Sequence, residues 1–120
     1  MYPNEPKHPV GTHLILNLYG MDTSTPVLWD MRKGYQLLEE VVARLDLHVV
    51  NKAGHQFSPG GYTIAYVLSE SHLTIHTYPE TNAAYLDIFC CNPHFNPSVA
   101  ISLVQTLFGA GNETHTILSR

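Results

Sequence analysis

Between Glu70 and Glu80 the chain reads Glu70-Ser71-His72-Leu73-Thr74-Ile75-His76-Thr77-Tyr78-Pro79-Glu80, the densest concentration of reactive side chains in the sequence. Serine offers a nucleophile, and histidine a base that titrates near neutrality. If residues 72–77 are extended, alternate side chains point the same way, so His72, Thr74 and His76 share one face near Ser71. Taken singly, each would be an ordinary turn or surface residue; the grouping is what points to chemistry. A zinc site on His72, His76 and the later pair Cys90-Cys91 is one reading. Four residues of extended chain put the two imidazoles about 13 Å apart, too far for both to reach one metal at about 2 Å, so no metal is expected. Hydrolysis by a Ser–His pair is another reading, but the chain has no G-x-S-x-G turn and is short for the fold that carries it.

These residues need strands to hold them. His13 to Tyr19 alternates Leu14, Leu16 and Leu18 with more polar neighbours and stops at Gly20, the pattern of a half-buried strand. From Asp30 to Leu45 the period becomes helical: Leu37, Leu38, Val41, Val42 and Leu45 share a face, Asp30 is a natural cap, and Gly34 only weakens the first turns. Strand character returns at Leu47–Val50, followed by a loop over residues 54–61. Three runs rich in β-branched and aromatic residues follow, Tyr62–Leu68, Leu73–Tyr78 and Ala84–Phe89. The short breaks between them predict sequential antiparallel strands. Asn96-Pro97 caps a second helix, with Ile101, Val104 and Phe108 on its buried face and Gly109–Gly111 at its end. A short final strand over Thr114–Leu118 is expected. The order predicts an α+β two-layer sandwich, an antiparallel sheet with helices packed on one face.

The chain has 120 residues, a hydrophobic fraction of 44%, a charged fraction of 13% and a net charge of −4. This allows one core: an N-terminal arm over residues 1–10, rich in proline, and a single domain over 11–120. There is no basic surface to neutralise phosphates or an anionic membrane, so neither nucleic acid nor membrane is an expected partner. Few charges are available to cover the surface, which predicts burial in an oligomer, at least a dimer. Cys90 and Cys91 are adjacent and cannot ordinarily bridge; as free thiols in a chain with no leader-like or membrane-length apolar segment, they suit the cytoplasm. Asn112-Glu113-Thr114 matches a glycosylation triplet of no weight there.

The string Glu70-Ser71-His72 with Ile75-His76-Thr77 and Pro79-Glu80 resembles the signature of the prokaryotic S-adenosylmethionine decarboxylases. So do Gly11-Thr12-His13-Leu14 with Tyr19-Gly20, the loop residues His55, Phe57, Pro59 and Gly61, and Asp87-Ile88-Phe89-Cys90-Cys91. The likeness spans about residues 11–108, and its centre is specific: a cleavage junction, a histidine five residues on and a cysteine twenty residues on.

The resemblance implies that the chain cleaves itself between Glu70 and Ser71 and that Ser71 becomes a pyruvoyl group, the cofactor for decarboxylating S-adenosylmethionine toward spermidine synthesis. It implies that His76 assists the cleavage as a base and that Cys91 returns a proton to the substrate, with Cys90 turned into the core. Phe57 and Tyr78 would sandwich the adenine ring, Glu80 would bind the ribose, and Thr63 would sit near the processing site. Tyr78 stands where the family usually has tryptophan, Asn92 where it has glycine, Asn17 where it has aspartate and Met21 where it often has cysteine. Only Tyr78 falls in the implied substrate site, where it keeps an aromatic face of smaller area. A pyruvoyl-dependent ornithine or arginine decarboxylase, or a non-catalytic regulatory subunit, would use the same scaffold.

Overall fold

In a computed structural model, residues 9–120 are described; most of the expected N-terminal arm lies outside them. The elements are β1 (Thr12–Met21), α1 (Met31–Arg44), β2 (Val49–Gln56), β3 (Tyr62–Leu68), β4 (Ser71–Tyr78), β5 (Ala83–Cys90), α2 (Pro97–Phe108) and β6 (Ala110–Ser119), with a 3-10 turn at Pro79–Thr81. The six strands form one antiparallel sheet in the order β2-β3-β4-β5-β1-β6. Both helices cover one face, giving the expected two-layer α+β sandwich.

The alternation in the strands builds the layers. Leu14, Leu16 and Leu18 on β1, Ile64 and Tyr66 on β3, Leu73 and Ile75 on β4, and Leu86 and Ile88 on β5 point to the helices, joining Leu38, Val41, Val104 and Phe108 in one dry core. Asp30 caps α1 by accepting from the Arg32 N–H, and Asn96 caps α2 by accepting from Ser98 and Val99, so both predicted caps are used. Gly34 does more than weaken α1. It is buried against Tyr62, and a side chain there would collide with the phenol ring. That close approach lets α1 lie on β3 and lets the Tyr62 hydroxyl donate to the Val27 carbonyl at 2.6 Å.

β1, β4 and β5 exceed their expected spans by two or three residues, β1 running through Gly20 to Met21, and β2 and β6 depart from theirs most. β2 runs to Gln56 rather than ending at Val50, so His55 lies in a strand and the loop is confined to residues 57–61. Every residue of β2 is exposed; without a buried face there is no apolar alternation to mark the strand, and pairing with β3 alone defines it. β6 begins at Ala110, immediately after the left-handed Gly109 that ends α2. It too is an edge strand, mostly exposed and paired along β1. Among the described residues no helix is long and apolar enough to cross a membrane.

Among the described residues nothing packs over the face away from the helices. It carries Thr63, Ala65 and Val67 from β3, Thr74, His76 and Tyr78 from β4, Tyr85, Asp87 and Phe89 from β5, and Ile15 from β1, with Ile15, Val67, Tyr78 and Tyr85 exposed.

Candidate active site

β4 carries chemistry at both ends. At its C-terminal end Phe57, Thr63, His76, Tyr78 and Glu80 line a cavity of about 210 Å3 with Gly60 and Thr77. Phe57 and Tyr78 are 49% and 44% exposed, which leaves two aromatic faces free for a ligand. The Thr63 Oγ1 lies 3.0 Å from His76 Nδ1 across the β3–β4 pair. That contact fixes the ring and leaves Nε2 without a partner among the described residues. Phe57 is placed by a residue that the sequence pattern did not single out. The Gln56 amide donates to the carbonyls of Trp29, Phe57 and Gly61 at 2.7, 3.1 and 2.8 Å, and its Oε1 accepts from the Met31 N–H at 2.7 Å. Thr77, buried, locks the other wall: its hydroxyl donates to the Leu28 carbonyl and accepts from the Tyr62 N–H.

At the N-terminal end lie Glu70, Ser71 and Cys91. Ser71 follows the tight turn between β3 and β4 and has φ of +142°, a region that costs a non-glycine residue about 1–3 kcal/mol. The Glu70 carbonyl accepts from the Cys91 N–H at 3.0 Å, which brings Cys91 beside the junction and polarises that carbonyl. Cys90 pairs with Ser71 across β4–β5, and its thiol is buried in the core, where burial pushes its pKa up. Cys91 is exposed. The two neighbours therefore face opposite ways, as the strand alternation predicts.

Ser71 and His76 do not meet within one chain. Five residues of extended strand separate them, about 16 Å, and the Ser71 corner does not line the aromatic cavity.

Between the two ends, on the bare face, Asp87 gathers three residues from two other strands. His13 Nε2 and His72 Nε2 lie 2.7 and 2.8 Å from its Oδ2, and the Thr74 hydroxyl donates to Oδ1. Burial pushes the Asp87 carboxyl up, but the hydrogen bonds from Thr74, His72 and His13 together hold it below the usual carboxylate range. Arg120 donates to His13 Nδ1 at 3.0 Å, so Nε2 of that ring carries the proton it gives to Asp87. The ligand-type atoms of His13, His72 and Asp87 lie within 4.8 Å of one another; their hydrogen bonding to one carboxylate makes them a polar network. Outward parity was readable for each of these residues, but the adjacency of β1 and β5 that joins them was not.

A family model for S-adenosylmethionine decarboxylase matches residues 12–120. The chain belongs to the S-adenosylmethionine decarboxylase family. It is 41% identical over 108 residues to an S-adenosylmethionine decarboxylase proenzyme 2 of Bacillus cereus, covering 88% of this chain and 83% of that protein. With the S-adenosylmethionine decarboxylase proenzyme of Caldanaerobacter subterraneus subsp. tengcongensis it shares 33% identity over 111 residues, 92% of this chain and 88% of that protein. The crystal structure of the adenosylmethionine decarboxylase from Aquifex aeolicus superposes with a TM-score of 0.85 at 26% identity, covering 95% of this chain and 92% of that one. The S-adenosylmethionine decarboxylase fold thus extends over all six strands and both helices.

Proposed function

We propose that this protein decarboxylates S-adenosylmethionine, releasing carbon dioxide and the aminopropyl donor for spermidine synthesis, after cleaving itself between Glu70 and Ser71. The observation that carries the reading is the pairing, on one strand, of a strained serine junction whose carbonyl is hydrogen-bonded with a cavity walled by two open aromatic faces and a carboxylate. The name proenzyme, borne by the relatives, supports the cleavage.

In the cleavage, the Ser71 Oγ attacks the Glu70 carbonyl carbon; the C–N bond breaks, and the hydroxyl proton goes to the freed amine. A base then takes the α-proton of residue 71, the Cβ–Oγ bond breaks so that the main-chain carboxylate of residue 70 leaves as a new C-terminus, and hydrolysis of the resulting dehydroalanine releases ammonia to give a pyruvoyl end on the fragment 71–120. The junction fits such a group: the Cys91 N–H already donates to the attacked carbonyl, and a positive φ is relieved once the peptide bond is broken. A pyruvoyl group supplies an electron sink for the pair released as carbon dioxide departs. This chain's own residues do the rest. Phe57 and Tyr78 sandwich the adenine, and their electron-rich faces suit a sulfonium. Glu80 accepts from the ribose hydroxyls, His76 held by Thr63 serves as the base, and the exposed Cys91 thiol returns a proton to the substrate carbon.

Because about 16 Å of strand separates Ser71 from His76, the reading requires two copies. We infer a homodimer packed through the bare faces of the sheets. A two-fold axis lying between the sheets and across the strands sets the Ser71 corner of one copy against the His76 cavity of the other, completing two sites. Two unbridged cysteines are in keeping with a cytoplasmic enzyme.

The test is intact mass together with carbon dioxide release. Two fragments divided at residues 70 and 71, the second with a blocked amino terminus, and carbon dioxide from S-adenosylmethionine are expected. Release from ornithine or arginine instead would move the substrate assignment, and an uncut, inactive chain would leave a non-catalytic subunit.

A further inference from the structure

His48 belongs to none of the motifs above, yet it grips the junction more closely than any of them. It lies just before β2, and its imidazole Nδ1 is 2.6 Å from Glu70 Oε2. Its backbone N–H donates to Glu70 Oε1 at 3.0 Å, and its carbonyl accepts from the Ser69 N–H at 2.8 Å. Main chain and side chain of one residue therefore fix the two positions that precede Ser71. The Glu70 side chain is only 12% exposed, whereas the imidazole is 64% exposed. With the Cys91 N–H on its carbonyl, Glu70 is held at both ends.

We propose that His48 is a positioning residue for chain cleavage, acting through Glu70 to hold the scissile carbonyl in the strained geometry that the Ser71 hydroxyl attacks. The inference rests on residues 70 and 71 being a self-cleaving junction. The energetic logic is that of a fixed near-attack geometry: a turn free to relax would spend most of its time with the hydroxyl and carbonyl apart. An exposed hydrogen bond contributes little to global stability, but here it restrains the two residues whose dihedrals set the attack.

The clamp is pH-sensitive. The hydrogen bond to Glu70, and then its charge, raise the His48 pKa, and Asp46 Oδ1, 3.8 Å from Nε2, adds in the same direction. Burial pushes the Glu70 carboxyl up, but the side-chain and backbone hydrogen bonds of His48 hold it net below its ordinary value. The other titratable group that senses Glu70 is the Cys90 thiol, kept neutral by burial. The ion pair is thus complete between the lowered carboxyl pKa and the ordinary histidine value, and its charge is lost as pH rises through the raised value of His48.

The experiment follows cleavage of freshly translated chain after synthesis is stopped, from about pH 6 to about pH 9, a range spanning histidine titration. His48→Ala is expected to slow cleavage about tenfold, the upper part of what one hydrogen bond contributes. His48→Asn, whose Nδ2 takes the place of Nδ1, should recover most of that rate and lose the decline at alkaline pH. Glu70→Ala should be slow, and adding His48→Ala to it should slow it no further, because His48 acts only through that carboxylate. Parental cleavage in His48→Ala, or additive effects in the double variant, would overturn the proposal alone. Loss of folding by His48→Ala in an uncleavable Ser71→Ala background would also overturn it, since slow cleavage would then reflect stability. A parent chain that never cleaves would overturn the junction itself.

Discussion

The two ends of β4 are built on opposite principles. The Ser71 end is a tight turn, crowded with backbone hydrogen bonds and carrying a strained residue. The Tyr78 end is an open cavity with two ring faces and a carboxylate at its rim. One suits making and breaking a bond in the chain itself; the other suits holding a planar, cationic guest. A single extended strand connects them and also keeps them apart, since it cannot bend back on itself. Under the proposed dimer, the two ends would meet across a boundary between copies.

The strongest way to break this comparison is to damage the ends separately and mix them. Ser71→Ala is expected to abolish cleavage and carbon dioxide release, because alanine has no nucleophile. His76→Ala should cleave slowly. Co-expressed with Ser71→Ala, it should yield mixed dimers in which one site of the two combines both mutations and the other is wild type, so activity returns to a fraction of the parental level. Absence of any recovery, with mixed dimers present by native mass, would place both ends of a site in one copy.

Cys90 and Cys91 sharpen the comparison at the reaction end. Cys91→Ala should leave cleavage normal but slow turnover by about 10²-fold or more, the usual contribution of a placed acid, and raise substrate-dependent loss of sites through amine transfer to the cofactor. The mass of the second fragment's amino-terminal peptide before and after turnover reads that loss. Cys90→Ala, buried beneath Ser71, should lower the melting temperature with a smaller effect on chemistry. The reverse pattern would make Cys90 the acid.

The smallest effects are expected at the recognition end. Phe57→Ala or Tyr78→Ala should weaken S-adenosylmethionine binding by about 1–3 kcal/mol if each stacks on the adenine, measured by calorimetry on protein that has completed cleavage. Tyr78→Trp should tighten it through the larger ring. Unchanged binding in all three would remove the adenosyl group from this cavity.

Much of this layout was legible from residue order. The alternation in β1, β3, β4 and β5 located the core face, and Asp30 and Asn96 marked both helix starts. The opposite facing of Cys90 and Cys91 followed from a period of two. The resemblance grouped Phe57, Tyr78 and Glu80 as a substrate site and set Thr63 and His76 at the processing junction; within one chain Thr63 and His76 instead line the cavity with the other three, at the end of β4 away from Ser71. Strand adjacency was legible only in part: the short breaks put β3, β4 and β5 side by side, but nothing local says that β1 inserts beside β5, so His13 gave no sign of meeting Asp87 and His72. β2 was foreshortened because an edge strand exposed on both sides has no apolar period. His48 was passed over because a single exposed histidine before a strand is indistinguishable from any surface histidine until Glu70 is seen folded back upon it.

The strand order has a consequence for what cleavage leaves behind. β1, β2 and β3 precede the Glu70–Ser71 bond and β4, β5 and β6 follow it, yet β1 lies between β5 and β6. The fragments of a cut chain would be interleaved like fingers of two hands, not laid side by side. Pulling them apart means stripping β1 from two ladders and β3 from a third, with the common core opened. A bond is lost but its partners are not freed. What disappears is the tether that lets the halves find one another, so a cut protein, once denatured, must reassemble by encounter between separate chains. Its folding equilibrium would then depend on protein concentration in a way the uncut chain's own folding does not, and the uncut precursor is the form in which the interlacing is most readily achieved.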